Sequence, residues 1–337
     1  MRRGGLLACV PMWLISLTCV AALNTSLTAV RLQSDRSRTG KTHRNPIIAL
    51  LEQHKPVFGV YAPSNGGRRG EPATPRSALD LARDGLAYRD ADFLFNGTPE
   101  GSIDRAMPAI ADFVKAMDDV NGESKTPFFG LLRPLVLKVP KIDPDRSKAV
   151  ENIGRELNAG AGGLMFVETE SADEVRAGLA AMRFKAKGGT RPDAVGTAAA
   201  HWGMSEADYR RAADVWPLNP DGELINWTIV ESREGLAHVR EIAAVKGIGV
   251  LWPGAGTLRG VFSSTNEKGE RVLDQAAWEN AIQQVLAACK EFNVPCGYPA
   301  NANDIETRMN QGFSVFVMNW GPPGFEAVQI GRKAAGR

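Results

Sequence analysis

Glu168 and Glu231 each close a short apolar run, Gly163–Glu168 and Ile225–Glu231, and Arg133 falls inside a third, Phe128–Leu135. Two carboxylates and an arginine brought to one mouth suit a divalent cation together with an anionic substrate. Hard cations take carboxylate oxygens, and a guanidinium fork grips an acid group bidentately. Taken singly, each carboxylate is explained as well by a helix N-terminal charge or an ion pair. A fourth run ends in Asn96-Gly97-Thr98-Pro99-Glu100, which offers Glu100 as a proton donor or acceptor. Trp252, Gly254 and Thr257 share another run end, and Trp320 follows Asn319. The two indoles fit a stacking wall for an aromatic or sugar-like compound, or packing under the loops.

These residues need a scaffold that gathers the ends of many strands. The expected strands are Val57–Ala62, Asp92–Asn96, Phe128–Leu135, Gly163–Glu168, Ile225–Glu231, Ile248–Trp252, Val294–Tyr298 and Ser314–Asn319. They are continuous apolar runs, which is how strands covered on both faces read. Amphipathic stretches follow them, among them Ile103–Met117, Ala172–Phe184 and Gln275–Phe292. Eight such alternations predict an α/β fold, a TIM (β/α)8 barrel, with its site at the C-terminal ends of the strands. The first strand is followed by Gly66-Gly67-Arg68-Arg69-Gly70 rather than a Gly-x-Gly-x-x-Gly turn, which argues against a doubly wound sheet. That loop reads as flexible surface or as an anion contact. His201–Glu223 is too long for a simple connection and reads as an inserted helical excursion or a subunit contact.

The chain of 337 residues carries 40 basic and 38 acidic residues, so no polyanion-binding excess points to nucleic acid. Met1-Arg2-Arg3 precedes an uncharged stretch from Leu6 to Leu23 that ends in small residues. Residues 1–22 therefore read as a signal peptide, with an uncleaved membrane anchor as the second choice. Residues 23–46 read as a polar, basic tether and 47–337 as one barrel domain. Export would leave Cys289 and Cys296 in an oxidising compartment, paired or as buried thiols.

Leu132-Arg133-Pro134, Gly163-Leu164-Met165-Phe166-Val167-Glu168 and Ile229-Val230-Glu231-Ser232-Arg233-Glu234-Gly235-Leu236, followed by Ile242-Ala243-Ala244-Val245-Lys246-Gly247, resemble the HpcH/HpaI aldolase and citrate lyase family. Gly254-Ala255-Gly256-Thr257-Leu258 falls where that family has Gly-Pro-Ala-Asp-Leu. The resemblance implies a metal-dependent pyruvate aldolase on an oligomeric TIM barrel. A Glu and an Asp would bind Mg²⁺ or Mn²⁺, an Arg would contact the 2-oxo acid, and a His would move protons. Here Glu231 matches the metal-ligand Glu, Arg133 the substrate Arg, and Gly254 and Thr257 the substrate-contacting turn. The ligand Asp is Thr257 and the catalytic His is Pro99. His201 reads as structural.

The substitutions leave a weak cation site. Glu231 would hold Mg²⁺ or Mn²⁺ with Glu168 as a second ligand, and Glu100 or Glu168 would stand in for the missing base. Two functions of different class follow. One is an exported carbon–carbon lyase acting on a 2-oxo acid or hydroxy-acyl acid through a divalent-metal enolate. The other is a non-catalytic exported protein that binds a small carboxylate. Either is expected to be periplasmic or secreted, and a homo-oligomer.

Overall fold

The structure is a computed structural model that describes residues 43–65, 75–123, 131 and 133–337. The N-terminal segment read as an export signal, most of the stretch read as a tether and the loop Gly66–Gly70 lie outside the described residues.

Among the described residues the parallel strands are β1 (Val57–Tyr61), β2 (Phe93–Asn96), β3 (Leu135–Val139), β4 (Gly163–Phe166), β5 (Val215–Trp216), β6 (Leu224–Val230), β7 (Val250–Pro253), β10 (Gly297–Pro299) and β11 (Val315–Met318). A small antiparallel hairpin, β8 (Ser263–Thr265) with β9 (Arg271–Leu273), stands apart. Pairing runs β10-β11-β1-β2-β3-β4-β6, with β7 on the far side of β6 and the two-residue β5 beside its start. The sheet curls until β7 and β10 meet at one parallel bridge, Leu251 to Cys296, where Leu251 N donates to Pro295 O at 2.9 Å. The architecture is mixed α/β with a curled parallel sheet.

The helices between strands start where their sequences offer a cap. The side chains of Ser77, Asp145, Ser171, Ser232 and Asp274 each accept a backbone N–H three residues on. This satisfies a donor the first turn would otherwise leave unpaired. Two cores result. One fills the space between sheet and helices. The other lies inside the curl and holds Phe93, Phe95, Met165, Trp227, Trp252 and Val317 among others. Trp227 stacks on Trp252 at 5.4 Å and meets Phe93 edge-on at 5.1 Å. Glycine makes room for these rings. A Cβ on Gly59 would stand 2.2 Å from Phe93, and one on Gly297 1.9 Å from Trp252.

A short helix, α1 (Pro46–Glu52), closes the N-terminal end of the curl with Ile47, Ile48 and Leu51 in the inner core. It is anchored by residues read as the end of the tether. Glu223 Oε2 accepts from Arg44 N at 2.9 Å and Asn45 N at 3.0 Å, and Asn45 Nδ2 donates to Gly162 O at 3.0 Å. His43 and Asn45 are buried, so the packed unit begins by His43 rather than at residue 47.

One sequence expectation is corrected and two are made specific. The third strand is Leu135–Val139; of the expected run Phe128–Leu135, residues 128–130 and 132 lie outside the described residues, and Arg133 precedes the strand, at the N-terminal end of the sheet. The excursion resolves into helices Ala198–His201 and Glu206–Ala212 followed by β5. Cys289 and Cys296, left open as pair or thiols, are joined in a buried disulfide with Cα atoms 5.7 Å apart.

Candidate active site

The strand register decides what faces the C-terminal mouth. On β3, Val136 belongs to the inner core, so Lys138 faces inward too, level with Met165 of β4. On β6, Trp227 and Ile229 face inward, and Glu231 is the next residue on that face. Trp252 pairs with Ile229 one layer below Glu231.

Glu231 is 3% exposed. Its Oε1 accepts the backbone N–H of Glu168 at 3.0 Å. Its other side lies against Gly254, where a Cβ would stand 2.3 Å from Glu231 Cβ and 2.6 Å from Oε2. The mouth thus has a glycine because the carboxylate occupies the space of a side chain. Gly254 N also donates to Val230 O at 2.9 Å, which fixes the turn after β7. Glu168 adopts a left-handed backbone, φ 48°, uncommon for a residue with a Cβ. That turn aims its amide at Glu231.

Lys138 Nζ donates to Glu100 Oε2 at 2.8 Å. Its side chain is 18% exposed. The stem runs over Gly97, within 3.4 Å of where a Cβ would be. Glu100 belongs to a single 3-10 turn, Thr98–Glu100, which Asn96 Oδ1 holds by accepting from Thr98 N and Oγ1. Tyr61 ends β1 and packs edge-on against Phe95. Burial pushes its phenol above the ordinary tyrosine range, with Glu100 adding and Lys138 opposing. The residue is 41% exposed and, like an ordinary tyrosine, a neutral O–H donor at pH 7. At the rim, Lys141 Nζ pairs with Glu170 at 2.7 Å and holds that carboxyl below the usual range.

The predicted site residues separate. Glu231, Gly254 and Glu100 are at the mouth. Glu168 is there through its backbone, but its carboxylate is 55% exposed and 3.9 Å from Lys141, away from Glu231's bound oxygen. Thr257 lies exposed in the first turn of helix Ala255–Val261. Arg133 is at the opposite end of the sheet, donating to Arg89 O at 3.0 Å. It is a structural tie between strand entries and cannot reach a substrate at the mouth. Trp252 is core, 5% exposed and stacked on Trp227, rather than a wall. Trp320 packs edge-on against Phe325 at 5.0 Å in the outer core. His201 is structural as expected, its Nδ1 2.6 Å from Asp118. Sequence reasoning missed Lys138 and Tyr61. The signal for Lys138 was a lone lysine within Leu135–Val139, a type of residue rarely buried without a partner.

The cation implied by the resemblance does not fit these donors. Among the described residues no three His, Cys, Asp or Glu side chains converge on one point. Glu231 has one oxygen committed to an amide, Thr257 is neutral, and Glu168 turns to Lys141. A hard dication takes at least six oxygens and leans on carboxylates for its affinity.

No protein-family profile matches the sequence. The chain is 26% identical over 262 residues to a hydroxypyruvate/pyruvate aldolase of Paraburkholderia phytofirmans, covering 76% of this chain and 83% of that protein. Its fold is similar to an HpcH/HpaI aldolase/citrate lyase family protein from Burkholderia cenocepacia, with TM-score 0.59, 22% identity and coverage of 86% and 97%. It is similar also to an HpcH/HpaI aldolase from Desulfitobacterium hafniense, with TM-score 0.56, 16% identity and coverage of 80% and 88%. The resemblance seen in the sequence is therefore found again in a curated relative and in solved structures.

Proposed function

We propose that the chain is a diverged carbon–carbon lyase of the HpcH/HpaI type that acts on a 2-oxo acid. The observation that carries this is the buried Glu231, held by the Glu168 amide at the C-terminal end of β6, with Lys138 and Glu100 on the same mouth. A 2-oxo acid has an electrophilic carbonyl beside an anionic carboxylate. A cation next to the carbonyl draws electrons from the carbon–carbon bond, and a fixed carboxylate takes the proton of the alcohol that becomes an aldehyde. Glu231 is the base in this reading, Lys138 the cation and Tyr61 a neutral donor. The curated relative's name supports the substrate class.

The single bridge between β7 and β10 supports closure as a full (β/α)8 barrel. A weakly held Mg²⁺ or Mn²⁺ at Glu231 is the finer reading the resemblance favours, and the donor set speaks against it. The basic-then-apolar N-terminus and the Cys289–Cys296 disulfide support an exported, periplasmic or secreted protein. Homo-oligomerisation rests on the resemblance alone.

The test is exchange of the pyruvate methyl protons for solvent deuterium, followed by NMR. It reports enolisation without knowledge of the natural aldehyde. Exchange above the buffer blank is expected. Binding of pyruvate with no exchange would reject the lyase and leave a carboxylate-binding protein.

A further inference from the structure

We propose that Lys138 forms a covalent imine with the substrate, so that carbon–carbon cleavage proceeds on an enamine without a metal ion. The inference rests on the 2-oxo acid lyase reading and names the electron sink that reading leaves open. Three observations carry it. The inner face of β3 presents a primary amine at the mouth of a curled parallel sheet, on a side chain that is 18% exposed. A carboxylate, Glu100, stands 2.8 Å from that amine and is itself only 35% exposed. The donors that would hold a dication are incomplete beside a carboxylate, Glu231, that is kept and positioned.

The chemistry closes on the groups present. The ammonium of Lys138 gives two protons, relayed by Glu100, as Nζ–C2 forms and the C2–O bond breaks. The oxygen leaves as water and a protonated imine remains. The bond between C3 and C4 then breaks. Its electron pair becomes the C2–C3 double bond of an enamine and the imine π-pair returns to nitrogen. The C4 hydroxyl proton goes to Glu231, and the aldehyde departs. Glu231 returns that proton to C3, and water hydrolyses the imine to release the 2-oxo acid and restore the ammonium. No oxidant, reductant or further co-reactant enters. Pyruvate alone would run the last steps in reverse as far as the enamine, so methyl exchange is expected.

The full chain, with pyruvate and sodium borohydride in the presence of EDTA, tests this. Peptide mass mapping should find a reduced pyruvyl adduct on Lys138, undiminished by EDTA. Lys138→Arg keeps the charge facing Glu100 and has no amine to condense, so it should lose both adduct and methyl exchange. Glu231→Gln should keep the adduct and lose exchange, a split that a purely structural role for either residue would not give. Wild type without an adduct, an adduct spread over surface lysines, or exchange retained in Lys138→Arg overturns the imine. Exchange that depends on added Mn²⁺ with no adduct rejects the imine and leaves the lyase standing. Absence of exchange and adduct together rejects both.

Discussion

The two ends of the curled sheet are built on opposite principles. At the N-terminal end the polar groups bond mainly to the chain itself. Glu223 takes two backbone amides and faces His43, Asn45 ties three segments, and Trp216 Nε1 donates to Glu52 at 3.2 Å. Helix α1 then seals the inner core with apolar side chains. At the C-terminal end Glu231 keeps one oxygen outside any hydrogen bond to Glu168, Glu168 bends into a left-handed conformation, and Lys138 and Glu100 remain within reach of water. One end spends its charges on holding the chain together. The other holds charges ready for something else, the division expected of barrels whose chemistry lies at the strand C-termini.

That contrast is sharpest for paired substitutions. Glu231→Gln should lower methyl exchange by about 10³-fold, equivalent to about 4 kcal/mol of barrier, with the midpoint of thermal unfolding nearly unchanged. A fall in stability without a fall in exchange would make the mouth another structural end. Glu223→Ala should do the reverse. It strips the partner from the buried amide of Asn45, the half-buried amide of Arg44 and His43, and should cost about 3 kcal/mol in urea unfolding, while exchange per folded molecule stays at the wild-type rate.

A smaller effect is expected where the two roles meet. Gly254→Ala places a methyl into Glu231 and should destabilise by about 2 kcal/mol. It should also displace the carboxylate, so exchange falls further than the folded fraction does. The smallest effect is a pH dependence at the sealed end. Burial opposes the charged form of His43 most strongly, but its bonds and attractions to Glu223 and Glu52 together raise its pKa above the ordinary 6.5. A raised pKa means that protonation stabilises the fold. The contribution is complete below pH 6.5 and fades as pH rises through the folded-state value. Unfolding free energy measured from pH 6 to pH 9 should decline slightly in wild type, and His43→Gln should remove that decline.

Much of this was legible in sequence, and the failure at β3 shows why the rest was not. Seven strands fall close to their apolar runs, because burial on both faces leaves little freedom in composition. The run at Phe128–Leu135 was as apolar as the others, whereas the true strand carries Lys138. Each segment carries one cation, Arg133 in the first and Lys138 in the second, so hydrophobicity alone does not separate them. Moving the strand along carried Arg133 from the mouth to the floor and hid the lysine. Glu231 was found because its segment keeps a distinctive spacing. Trp252 misled because a strand-end indole looks the same in sequence whether it faces the loops or the sheet interior. Asn45 and His43 were read as tether because polar residues there gave no hint that Glu223, far along the chain, would bury them.

The stack of Trp227 on Trp252 directly beneath Glu231 also makes the protein its own optical reporter. Two indoles 5.4 Å apart and inclined by 10° couple electronically, and coupled transitions in a rigid, asymmetric setting give strong circular dichroism in the aromatic region. The upper ring of the pair lies one layer below the carboxylate, so a compound that enters the mouth and reaches Glu231 should perturb it. Occupancy can thus be followed by polarised light on unlabelled protein.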